Sequence, residues 1–108
     1  MNLIHYYDVR EMATEELERL KEKVYREWMA FDKETRLLDI RYQAIENAMK
    51  QSNPLGRDFE RLAVKWREIV DNSDQRFIEG LNYRQSYYAI ERELERRRQE
   101  CMRPYLGW

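Results

Sequence analysis

Leu17, Leu20, Val24, Trp28, Phe31, Thr35, Leu38, Tyr42, Ile45 and Met49 follow one another at intervals of three and four residues. That spacing lines one face of an α-helix. Phe59, Ala63, Trp66, Val70, Ser73, Phe77, Gly80, Arg84 and Tyr88 repeat it further along the chain. One three-four-four step around Trp28 departs from strict heptads, and a supercoil is expected to straighten there.

The run Asp8–Ser52 holds neither Gly nor Pro and is rich in Glu, Leu, Lys, Arg, Ala and Met, residues that lose little on entering a helix. It predicts one helix over about 8–52. Asp8 and Thr14 both suit an N-cap, and Leu17, third after Thr14, denies that site the acidic arm of a capping box. Ser52-Asn53-Pro54-Leu55-Gly56 is the strongest break in the chain. Pro cannot continue the helix, and Asn and Gly accept turn dihedrals, so a turn is predicted at 53–57. A second helix follows over about 58–102, with a kink or break expected at 71–74, and Pro104 ends it.

Folding the chain back at this turn gives an antiparallel, coiled-coil-like helical hairpin. One register faces Met49 with Phe59, Ile45 with Ala63, Tyr42 with Trp66 and Leu38 with Val70. Continued, it sets Thr35 against Ser73 as a shared polar layer, then Phe31 against Phe77, Trp28 against Gly80 and Leu20 against Tyr88. It also sets Val24 against Arg84, a poor match.

Two helices bury one stripe each, and a core needs a further layer. Tyr25, Met29, Leu37, Ile40, Ala44, Val64, Ile69, Ile78, Leu81, Tyr83 and Ile90 fall outside the stripes, too many for a solvated face. The expected architecture is therefore an all-α long antiparallel helical hairpin that dimerises into a four-helix bundle, with Leu37 and Ile40 as leading contacts. The alternative is a three-helix bundle within one chain, in which 71–74 turns the chain back and Asp74 caps a third helix.

Composition narrows the function. Residues 1–108 have the length of a single helical domain. With 43% hydrophobic and 38% charged residues, 3 Gly and 2 Pro, the profile is that of long helices. The 20 basic and 21 acidic residues leave a net charge of −1, so the chain as a whole has no electrostatic pull toward nucleic acid or an anionic membrane. Cys101 is the only cysteine, so no intrachain disulfide asks for an oxidising compartment. Met1–Tyr7 lacks the pattern of a secretory signal, and no stretch reaches the ~20 apolar residues of a membrane span. A soluble, cytoplasmic protein is expected.

The usual chemical constellations are missing. His5 is the only histidine, which removes Ser-His-Asp systems and two-His metal sites. Gly56, Gly80 and Gly107 are too dispersed for a phosphate loop. Glu15, Glu16, Glu18 and Glu22 interleave with Arg19, Lys21, Lys23 and Arg26 and read as a solvated face rather than a metal cluster. No catalytic residue, cofactor or metal is expected. Arg57, Arg61 and Lys65, and separately Arg96, Arg97 and Arg98, form two basic patches, the second interleaved with Glu91, Glu93, Glu95 and Glu100.

The terminal segments are unusually aromatic. Tyr6, Tyr7, Tyr105 and Trp108 either cap the hairpin core or anchor a partner. The expected role is a non-enzymatic protein–protein interaction module of the adaptor, chaperone or inhibitor type. A nucleic-acid-associated helical protein is the alternative.

Overall fold

The computed structural model describes residues 3–102, apart from the side chains of Tyr6 and Tyr7. Among the described residues the chain is all-α, with α1 at Tyr6–Arg10, α2 at Thr14–Gln51, α3 at Arg57–Asp71 and α4 at Ser73–Met102. It divides into two compact units, one of Met1–Met29 with Glu79–Trp108 and one of Ala30–Ile78. We call these the terminal unit and the turn unit.

In the terminal unit the helix expected from about residue 8 is two helices. Asp8 does not cap; it sits inside α1, where its carboxylate accepts the His5 N–H at 3.3 Å, the returning arm of a capping box. No Gly or Pro stops α1. The Arg97 guanidinium does so from α4, donating to the carbonyls of Val9 at 3.4 Å, Arg10 at 3.1 Å and Met12 at 2.6 Å. Carbonyls held by a side chain need no partner in a following helical turn. Arg97 also donates to Thr14 Oγ1 at 3.0 Å, at the start of α2.

The core of this unit is Val9, Leu17, Val24 and Ile90, with Ile4, Met12, Leu20, Tyr83, Tyr87 and Leu94 packed on it. α4 therefore has two inward faces. Tyr87 meets α2, where Trp28 lies 5.7 Å and Tyr25 6.0 Å from its ring. Ser86, Glu93 and Arg97 meet the segment around α1. The extrapolated seam is corrected here. Arg84 and Tyr88 are exposed, Val24 and Leu20 pack among Tyr83, Tyr87 and Ile90 instead, and Trp28, expected against Gly80, meets Tyr87 with the two rings tilted. Lys21 pairs with Glu91 at 3.4 Å. Partners lie about one to two helical turns further along α4 than the simple hairpin register puts them.

Among the described residues two polar side chains are fully buried, and both are satisfied. Ser86 Oγ accepts the Ile4 N–H at 2.9 Å. Glu93 Oε1 accepts from Arg96 at 2.7 Å and from Arg97 at 3.0 Å, and its Oε2 from Arg96 Nε at 3.0 Å. The Arg96 hydrogen bonds outweigh burial, and with the Arg97 contact they lower the Glu93 carboxyl from 4.5 to about 2.

In the turn unit the expected register holds near the reversal: the Tyr42 and Trp66 rings stack at 6.1 Å. Asn53 Oδ1 accepts the Leu55 N–H at 3.1 Å and the Asn53 carbonyl accepts the Gly56 N–H at 2.9 Å. A side chain at Gly56 would bring its Cβ within 3.2 Å of that carbonyl, so the close approach favours glycine.

The interruption at 71–74 is a single residue, Asn72, in right-handed helical dihedrals. The chain does not turn back there, as the three-helix alternative requires. Beyond it Arg76, still on the α2 side, donates to Thr35 Oγ1 at 3.0 Å and covers the Phe31 ring at 4.6 Å. Ser73, expected opposite Thr35, donates to the Val70 carbonyl at 2.7 Å, and Phe77, expected opposite Phe31, is 68% exposed. Past Asn72, Arg76 and not Ser73 or Phe77 is the residue that meets the α2 stripe.

Glu93 gives a signed pH dependence. Its depressed pKa contributes stability above about 4.5 that is lost as pH falls toward about 2. Glu93→Gln should lower the unfolding free energy by about 3 kcal/mol near neutral pH. The difference from wild type should shrink at acid pH. Urea unfolding followed by far-ultraviolet circular dichroism at both pH values checks this, and a difference independent of pH refutes the assignment.

Candidate interaction surface

The inner stripe of α2 in the turn unit is Phe31, Thr35, Leu38, Tyr42, Ile45 and Met49; Tyr42 stacks on Trp66 of α3, and Phe31 and Thr35 meet Arg76 of α4. Only Ile45 in this set is fully enclosed, at 8% exposure. The others are half-buried, as are Phe59, Ala63, Trp66 and Val70 facing them from α3. Each residue turns a helix by about 100°, so Leu37, Ile40 and Ala44 fall opposite this stripe. Leu37 is 57% and Ile40 66% exposed. Val64, Phe77, Ile78 and Leu55 of the same unit are exposed as well.

The terminal unit contrasts with this, because the segment around α1 supplies the layer that the turn unit lacks. Ile90, expected on an outward face, is fully buried at the centre of its core, and Tyr83 packs on that core. Leu81 and Ile69 are half-buried. Tyr25, Met29, Ala44, Val64 and Ile78 are exposed, as expected.

Leu37 and Ile40 therefore stand together on one open face. Tyr105 and Trp108 lie outside the described residues. Tyr6 and Tyr7 begin α1, but their side chains also lie outside the description. On α4, Tyr87 is half-buried and Tyr88 exposed. Burial, reinforced by the Glu91 carboxylate, raises the Tyr87 hydroxyl above 10.0 and keeps it neutral.

The basic patches differ in state. Arg96 binds Glu93 and Glu100, Arg97 binds Glu93, and Arg98 binds Glu95 at 2.9 Å. Arg57, Arg61 and Lys65 are exposed along α3. The contribution of Arg97 and Glu93 to holding α1 was not visible in the sequence. Its one signal is the spacing of Glu93 to Arg96 and Arg97 at i+3 and i+4, which equally describes a solvated pair.

No helix among the described residues is long and apolar enough to cross a membrane. No group of three or more His, Cys, Asp or Glu among them is arranged to hold a metal ion. Compared with protein families, curated proteins and solved structures, the chain matches none.

The contrast between seam and open face is measurable. In dilute protein, Ile40→Asp should change stability by no more than about 0.5 kcal/mol. Ile45→Asp, which buries a charge, should cost about 3 kcal/mol or more. Equal costs in thermal or urea unfolding would show that the two faces had been assigned the wrong way round.

Proposed function

We propose that this chain is a non-enzymatic helical protein–protein interaction module of the adaptor, chaperone or inhibitor type, and that its first partner is a second copy of itself. One observation carries the reading. The turn unit encloses a single hydrophobic side chain, Ile45, while Leu37 and Ile40 stand exposed opposite its seam.

Fully burying a Leu or Ile side chain contributes about 1.5–3 kcal/mol, so a face of this kind gains by association. A helical hairpin can complete its layer by packing on another hairpin. Leu37, Ile40 and Ala44 suit a two-fold arrangement of antiparallel α2 helices. Ile40 then lies near the axis, and bulky Leu37 meets small Ala44 of the second copy. The result is a four-helix bundle.

Association with nucleic acid draws less support. The Arg96–Arg98 cations are bound to carboxylates, which leaves few free charges there for phosphates. A cytoplasmic setting fits the unpaired, exposed Cys101.

Sedimentation velocity over a range of concentrations tests the proposal. We expect a reversible dimer that Leu37→Asp with Ile40→Asp converts to monomer without loss of helical content. In a Cys101→Ser background, Ile40→Cys should crosslink two chains on mild oxidation, because a disulfide requires Cα atoms within about 7 Å. A wild-type monomer throughout, with no crosslink, removes the second copy as partner.

A further inference from the structure

In the terminal unit a groove of about 940 Å³ runs along the outer side of α4. Leu81 and Tyr88, two helical turns apart on one face, supply its apolar floor. Tyr88 is 52% exposed. We infer that this groove is a docking site for an acidic amphipathic helix of another protein. The surface is distinct from the Leu37–Ile40 face and does not depend on the dimer.

The charges decide the chemistry of the occupant. Both carboxylates lining the groove are already compensated, Glu91 by Lys21 at 3.4 Å and Glu95 by Arg98 at 2.9 Å. Arg84 and Arg92 line the same groove and form no ion pair with any described residue. Their excess positive charge stands beside an apolar strip, in a chain whose net charge is −1. Arg84 is held over the Tyr88 ring at 5.8 Å, so its guanidinium is partly positioned before a partner arrives.

A helix is the element that fits an apolar strip with this period, since its own i, i+4 and i+7 side chains can lie along it. Acidic residues flanking that stripe would answer Arg84 and Arg92. Glu18 and Glu22 stand on α2 beside Lys21, so the acidic flank must face α4. A phosphate backbone fits less well, because it would leave the apolar floor unused. Tyr and Arg are also the residue types that concentrate binding energy at protein interfaces.

The test uses the full chain and two labelled synthetic peptides of about 18 residues, five helical turns. Both carry the same leucine stripe, one flanked by Glu and the other by Lys. Fluorescence anisotropy should show saturable binding of the Glu peptide alone. Affinity should fall roughly tenfold or more for Arg84→Glu with Arg92→Glu, and between about 50 mM and about 500 mM salt. Tyr88→Ala should weaken it as well. All three side chains are exposed, so helical content and melting temperature should be unchanged, which separates lost binding from lost fold.

Equal binding of both peptides, no saturation, or indifference to the charge reversal overturns the proposal. So does tighter binding of a single-stranded oligonucleotide that the same reversal abolishes, which would make the groove a phosphate site. A change in the peptide-free sedimentation of the reversal variant would assign it to a second copy and likewise overturn the proposal. Because the dimer is read by sedimentation and the groove by anisotropy, either reading can fail alone.

Discussion

A buried carboxylate shared by two arginines is the interaction on which the terminal unit depends. Glu93 is fully enclosed, a position that costs far more than any exposed ion pair returns unless its oxygens are satisfied. Arg96 and Arg97 satisfy them, and Arg97 then has donors left over. Those donors collect the carbonyls of Val9, Arg10 and Met12, so a charge inside α4 fixes where α1 ends. Val9, brought in by this arrangement, completes the core with Leu17, Val24 and Ile90. The same polar cluster thus supplies the third layer that a helix pair needs.

Nothing comparable exists in the turn unit. Its seam carries large side chains, including Phe31, Tyr42, Phe59 and Trp66, and almost all stay half-buried. Two helices in contact shield only the strip between them. The Leu37–Ile40 face and the half-buried seam therefore share one cause, and a partner helix would relieve both. The open apolar surface is thus a property of the turn unit as a whole and not of any single residue in it.

The parts of this fold that were legible in the sequence are those in which apolar residues alone set the phase. The α2 stripe, the Asn53–Gly56 turn and the stacking of Tyr42 on Trp66 belong here, as does the exposure of Leu37 and Ile40. Extrapolation failed beyond Asn72, where Phe77, Arg84 and Tyr88 are exposed. It failed again at α1, whose limit is set by an arginine remote in sequence. The inward face of α4 was hidden for a related reason. Ser86, Glu93 and Arg97 are polar, so hydrophobic periodicity gave no sign that they point into the protein. The groove along Leu81 and Tyr88 was missed as well, because Arg84 and Tyr88 had been assigned to the seam and Leu81 to the outward face.

The closure of the terminal unit has a consequence in time. Its defining hydrogen bonds join Ile4 to Ser86 and Met12 to Arg97, across 82 and 85 residues. The longest hydrogen bond recorded in the turn unit, from Arg76 to Thr35, spans 41. On a ribosome, which releases the chain from its amino end, residues 30–78 can pair while the partners of Ile4 and Met12 have yet to be made. The half that emerges able to fold first is therefore the half with the open apolar face. During that interval Val9, Leu17 and Val24 also lack their cover. The core of the terminal unit therefore closes only after residues 79–102 have been made.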